Sequence, residues 1–103
     1  MITESARQVL ASMRVALENY EPGPSVDPLD RLVGSLSGSL DALAGQVDAE
    51  WLEELRSAWW PLEFVNASVL SDERLTLRDS EVTNASTARD EFLWLLVEPQ
   101  DAP

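Results

Sequence analysis

Apolar residues recur at alternating intervals of four and three along three separate segments of the sequence. In the first segment they are Ala6, Leu10, Met13, Leu17 and Tyr20. This spacing gathers the apolar side chains on one side of an α-helix, because residues three and four apart share a helical face. The pattern therefore predicts an amphipathic helix over residues 4–20 whose apolar side faces a core.

Two further segments repeat this spacing, and each begins after an aspartate suited to capping a helix, Asp27 or Asp48. The second stripe consists of Leu29, Val33, Leu36, Leu40, Leu43 and Val47. The third stripe consists of Trp51, Leu55, Ala58, Leu62, Val65 and Val69. We expect helices over 27–46 and 49–70.

The third stripe keeps its phase across Pro61. This favours a single helix that bends at the proline, because an interior proline disturbs a helix without always ending it. The alternative is a break at Trp60 followed by a new helix.

A polar connector over 71–80 separates the third stripe from a last element over 80–97, and residues 75–77 could form a short extended piece. Residues 92–97 are apolar on every side, so this part is either a buried helix or a strand. Good helix formers over 85–91 favour the helix. The prediction is an all-α fold, a small antiparallel bundle of about four helices, with one domain over 1–98 and a flexible tail over 99–103.

Two glycines, Gly34 and Gly38, lie four residues apart within the second predicted helix. A glycine inside a helix costs about 0.5–1 kcal/mol relative to alanine. Two such costs suggest that another helix approaches closely at these positions, and the alternative is a weak, mobile helix.

The chain contains no cysteine, no histidine and no lysine, so its seven basic residues are all arginines. Without thiolate, imidazole or amine, the usual nucleophiles, general bases and soft metal ligands are missing. We therefore expect a non-enzymatic protein with no cofactor and no metal.

The formal net charge of −12 restricts the partners that such a chain attracts. Nucleic acids and anionic membranes would be repelled, whereas a basic protein would be attracted. No signal-peptide pattern and no apolar run of about 20 residues is present, so a cytoplasmic location is expected. The use of arginine without any lysine, beside abundant alanine, favours a GC-rich genome, and a bacterial source is expected.

Two aromatic residues, Trp60 and Phe64, project from the third helix on the side opposite its apolar stripe. Three acids, Glu50, Glu53 and Glu54, lie on or beside the same side. Exposed aromatic residues ringed by charge are typical of an interface hot spot, so these five residues are the candidate partner-binding site. The alternative is that the bend at Pro61 turns both rings inward, or that another element covers them.

The physical type, a small and very acidic helical bundle, is similar to that of bacterial immunity proteins and antitoxins that block basic toxins. The expected function is a protein-binding module that occupies a basic surface, either as such an inhibitor or as a mimic of nucleic acid. The alternative is a structural protein that forms homodimers through its heptad stripes.

Overall fold

The structure is a computed structural model that describes residues 2–101 and has four helices within that range. They are α1 (Glu4–Asn19), α2 (Asp27–Leu43), α3 (Ala49–Ser71) and α4 (Asp79–Leu95). The predicted all-α bundle is confirmed. The alternative of a strand over 92–97 is wrong, because α4 remains helical to Leu95.

Side-chain caps begin two of the helices. The N–H of Ala6 donates to Thr3 Oγ1 at 3.0 Å, and the N–H of Trp51 donates to Asp48 Oδ2 at 2.9 Å. Asp27 was expected to cap α2, but it is the first residue of that helix, and Val26 before it makes no side-chain cap. The caps of α1 and α3 therefore satisfy backbone donors that a helix leaves unpaired at its start.

Antiparallel packing places α3 between α2 and α4. Arg56 Nη1 lies 3.4 Å from Asp41 Oδ1, and Asn66 Nδ2 donates to Asp30 Oδ1 at 2.9 Å. Residues later in α3 thus meet residues earlier in α2. The predicted stripes meet in one core, whose largest fully buried side chains include Met13, Leu17, Leu36, Leu40, Trp51, Leu55, Leu62 and Phe92.

Pro61 lies inside α3 without ending it, since the helix runs from Ala49 to Ser71. One continuous helix is confirmed, and the alternative of a break at Trp60 is wrong. Proline has no backbone N–H, so the carbonyl of Ser57, four residues earlier, lacks its usual helical donor. The proline therefore leaves a backbone acceptor on one side of α3.

Two short backbone bridges join the connections at opposite ends of the bundle. Ser25 pairs with Thr76, as expected for an extended piece at 75–77, and Val47 pairs with Asp101. The N–H of Asp48 also donates to the carbonyl of Gln100 at 3.0 Å. The tail predicted over 99–103 is thus joined to the fold as far as Asp101, and its last two residues lie outside the described range.

The expected close approach at the glycines is wrong within this chain. Gly34 and Gly38 are exposed, and a Cβ built on either would meet nothing within 4 Å. They line an open, serine-rich depression between α1 and α2. The two glycines therefore weaken α2 without gaining a packed helical neighbour in exchange.

Candidate protein-binding face

A groove of about 510 Å³ runs between α3 and α4, and we call it the aromatic groove. Its α3 wall consists of Ser57, Trp60, Pro61, Phe64 and Val65. Its α4 wall consists of Asn84, Thr87, Ala88 and Glu91. One wall is therefore mainly aromatic and apolar, whereas the other presents an amide, a hydroxyl and a carboxylate.

Both aromatic rings predicted to lie outside the core do so. Trp60 is 61% exposed and Phe64 is 73% exposed. The neighbouring Leu62 and Val65 turn into the core, which leaves the opposite side of α3 to the two rings. Both alternatives, in which the bend at Pro61 turns the rings inward or another element covers them, are wrong for the described part of the chain.

The residue beside Trp60 fixes this part of α3 to the bundle. Trp59 is half-buried, and its indole N–H donates to the carbonyl of Val33 in α2 at 3.0 Å. A buried tryptophan usually finds such a partner for its single donor. The backbone that carries Trp60 is therefore held by packing and by a hydrogen bond to a second helix.

A third large aromatic residue, Trp94, extends this face along α4 and is 76% exposed. It lines a smaller depression of about 240 Å³, the Trp94 pocket, together with Trp51, Glu54, Leu95, Val97, Glu98 and Gln100. Sequence reasoning missed Trp94, because residues 92–97 are apolar on every side. The helical spacing of Ala85, Phe92 and Leu96 could have predicted its exposure. If these three residues face the core, Trp94 lies on the outer side of the helix.

The aromatic groove and the Trp94 pocket follow one another along the α3–α4 pair. Glu54 lies three residues before Ser57 on α3, and Trp94 lies three residues after Glu91 on α4. Because the two helices run antiparallel, both steps lead in the same direction along the bundle. We call the surface formed by the two depressions the α3–α4 face.

The three acids predicted around the aromatic pair are all exposed, but they occupy different places. Glu54 lines the Trp94 pocket, whereas neither Glu50 nor Glu53 lines either depression. Glu53 Oε1 lies 3.8 Å from Arg56 Nε, on the side of α3 towards α2. Glu91 of α4, which sequence reasoning did not single out, lines the aromatic groove itself.

The charge of the α3–α4 face has a single sign. Glu54, Glu91 and Glu98 are among the residues that line the two depressions, and none of those lining residues is basic. Arg56 turns towards Asp41, and Arg89 donates from Nη1 to the carbonyl of Tyr20 at 2.8 Å. Arg89 Nε also donates to Asp90 Oδ1 at 2.6 Å.

The bundle's bidentate ion pair lies outside this face, at the start of α4. Arg74 Nη1 and Nη2 donate to the two carboxylate oxygens of Glu81 at 2.8 and 3.0 Å. The N–H of Arg78 donates to the same carboxylate. The hydrogen bond from Arg74, followed by that from Arg78, lowers the pKa of Glu81 to about 2. This pair therefore holds the α3–α4 connection, not the candidate site.

Residues 2–101 contain no group of three or more acidic side chains placed to hold a metal ion. Within the same range, no helix combines the length and the apolar character needed to cross a membrane. The chain matches no family model, and no curated protein and no solved structure shows significant similarity to it. The geometry of the α3–α4 face is therefore the basis for a functional assignment.

Proposed function

We propose that this chain is a non-enzymatic binding protein that uses its α3–α4 face to occupy a basic surface on another protein. One observation carries the proposal. Three large aromatic side chains, Trp60, Phe64 and Trp94, are between 61% and 76% exposed along depressions whose charged lining residues are all acidic. Exposed aromatic clusters of this kind supply the central, slowly dissociating contacts of protein interfaces.

The acidic groups select the kind of partner. Glu54, Glu91 and Glu98 line the face, and the chain as a whole carries a net charge of −12. Such a field accelerates encounter with a basic surface and disfavours acidic ones. The aromatic rings then determine how long the complex lasts, because most differences in affinity lie in the dissociation rate.

Inhibition of a basic toxin, as by an immunity protein or an antitoxin, is one form that this function can take. Imitation of a nucleic acid on a nucleic-acid-binding protein is another. Both use an acidic face against a basic partner. They differ in whether the partner's natural ligand is a nucleic acid, so competition between this chain and an oligonucleotide for the captured partner distinguishes them.

Self-assembly through the heptad stripes is the alternative function, and two observations weigh against it. The apolar stripes of α2 and α3 are buried in the chain's own core, with Leu36 and Leu55 fully covered. A dimer through them would require exchange of helices. Two chains of charge −12 would also repel one another at low salt.

The proposal is tested by affinity capture from an extract of the native host, followed by kinetic measurements on the purified partner. Trp60→Ala should weaken binding by about 2 kcal/mol or more, mostly through faster dissociation. Val15→Ala is the matched control, because Val15 is also exposed (54%) but lies on α1. Val15→Ala should leave the rate constants of association and dissociation unchanged.

Stability measurements separate a lost contact from a lost fold. Because Trp60 is mainly exposed, its replacement should leave the melting temperature nearly unchanged. The proposal fails if partners bind Trp60→Ala and Trp94→Ala as tightly as the wild type. It also fails if sedimentation shows a stable homodimer that buries Trp60.

A further inference from the structure

The α4 wall of the aromatic groove is unusual for a purely apolar docking site. Opposite Trp60 and Phe64 it presents the carboxylate of Glu91, the amide of Asn84 and the hydroxyl of Thr87. An aliphatic or aromatic side chain of a partner would cover these polar groups without satisfying them, at a cost in free energy. The occupant that fits both walls must therefore combine a flat or apolar surface with several hydrogen-bond donors.

Pro61 adds an acceptor to the α3 wall. Both Ser57 and Pro61 line the groove, and the carbonyl of Ser57 lacks a helical donor because proline has no N–H. Backbone carbonyls are strong acceptors that are normally paired. The groove is thus lined by a residue whose carbonyl has lost its helical donor, by a carboxylate and by an exposed indole ring.

A guanidinium group fits this combination better than an ammonium group does. It is planar and weakly hydrated, it stacks on aromatic faces, and it carries five donors in a rigid fork. An ammonium group is compact and strongly hydrated, so it loses more on leaving water. The cation–π attraction is also stronger for tryptophan than for the other aromatic residues.

We propose that the aromatic groove receives an arginine side chain of the basic partner. Its guanidinium lies against Trp60 and donates to the carboxylate of Glu91 and to the carbonyl of Ser57. This inference rests on the proposed function, since it names the partner residue that the α3–α4 face recognises. The acidic lining and the net charge of −12 argue for a cationic occupant over a second copy of this chain.

The test uses three synthetic peptides of one Gly-Ser-rich sequence, which carry three arginines, three lysines or three citrullines. Citrulline keeps the shape of arginine without its charge. Affinities are measured by fluorescence at low salt, and the indole N–H resonance of Trp60 is followed by NMR. The arginine peptide should bind about three- to tenfold more tightly than the lysine peptide and should shift this resonance most, and the citrulline peptide should bind weakest.

Variants connect the preference to the groove. Trp60→Ala and Glu91→Gln should each remove most of the preference for arginine over lysine. Glu18→Gln, which makes the same charge change at an exposed position on α1, should preserve it. Pro61→Ala should at least halve the preference, because alanine restores the N–H that pairs with the carbonyl of Ser57.

The possible outcomes separate this inference from the proposed function. If the lysine and arginine peptides bind equally, and both lose affinity in Trp60→Ala, the face binds basic chains without selecting arginine, and this inference is overturned. If the preference for arginine survives in Trp60→Ala, the groove is not its source, and the inference is again overturned. If no cationic peptide binds, the proposed function fails as well.

Discussion

The ring of Trp60 meets the ring of Trp59 edge-on, with centroids 5.1 Å apart and an angle of 66° between the planes. Trp59 is in turn held by its hydrogen bond to Val33. The exposed ring of Trp60 is thus supported by a residue fixed in the bundle. An aromatic anchor that is ordered before binding loses less side-chain entropy when a partner arrives.

Replacement of Trp59 tests this support. Trp59→Phe keeps an aromatic ring but removes the indole N–H that donates to Val33. We expect the free energy of unfolding to fall by about 1 kcal/mol, because one hydrogen bond in a half-buried position is lost. Partner binding should also weaken, although Trp59 itself does not line the aromatic groove. Chemical denaturation and dissociation kinetics measure the two effects; an unchanged dissociation rate would contradict the supporting role.

The acidic residues outside the groove should affect only the rate of association with a partner, not the rate of dissociation. Glu53→Gln removes an exposed charge that lies 3.8 Å from Arg56, a distance at which exposed pairs contribute little to stability. We expect slower association with a basic partner at low salt, an unchanged dissociation rate and an unchanged melting temperature. High salt should abolish the difference from the wild type. A faster dissociation rate would instead place Glu53 in direct contact with the partner.

The open space beside Gly38 predicts a stabilising substitution. Gly38→Ala adds a Cβ that meets nothing within 4 Å, so the gain in helix propensity should raise the free energy of unfolding by about 0.5–1 kcal/mol. Gly45→Ala is the contrasting control, because φ at Gly45 is +80° and an alanine there is strained. Urea denaturation compares them. A lower midpoint for Gly38→Ala would indicate a packed contact at that position.

Acidic pH should lower the stability of the bundle through protonation of Glu81. Hydrogen bonds from Arg74 and then from Arg78 lower its pKa from 4.5 to about 2 in the folded chain. The stability from this carboxylate is therefore fully present above about pH 4.5 and is lost as the pH falls towards 2. Glu81→Gln should lower the melting temperature at neutral pH. The difference in melting temperature between the variant and the wild type should shrink as the pH falls from about 4.5 to about 2.

Thermal melts of both proteins across this pH range measure the effect. Glu21→Gln provides the control, because Glu21 is exposed in the connection between α1 and α2. It should not reproduce the pH-dependent difference. A gap between Glu81→Gln and the wild type that stays constant down to about pH 2 would contradict the linkage.

The sequence was sufficient to predict the four helices, three of them from the alternating spacing, and the exposure of Trp60 and Phe64. The alternating spacing persists over many residues, and a long periodic stripe identifies both the helix and its outer side. Asp48 was also identifiable as a cap, because capping depends on residues only a few positions away.

Features that depend on distant parts of the chain could not be predicted. Gly34 and Gly38 suggested a close neighbour, but whether one is present depends on how α1 docks. Arg89 reaches the carbonyl of Tyr20, a pairing across 69 positions that no local pattern encodes. Glu91 lines the same groove as Trp60 only because α4 packs against α3 in one particular register.

The bridges Ser25–Thr76 and Val47–Asp101 have a consequence for how the bundle assembles. Ser25–Thr76 joins the α1–α2 connection to the α3–α4 connection, so it cannot form until α2 has docked on α3. Val47–Asp101 joins the two open ends of the α3–α4 hairpin, so it requires only that hairpin. Helices and their turns require only local contacts, whereas these bridges close long loops at an entropic cost. The amide hydrogen of Leu77, which donates to the carbonyl of Pro24, should therefore gain protection from solvent exchange later than that of Asp48, which donates to the carbonyl of Gln100, during refolding.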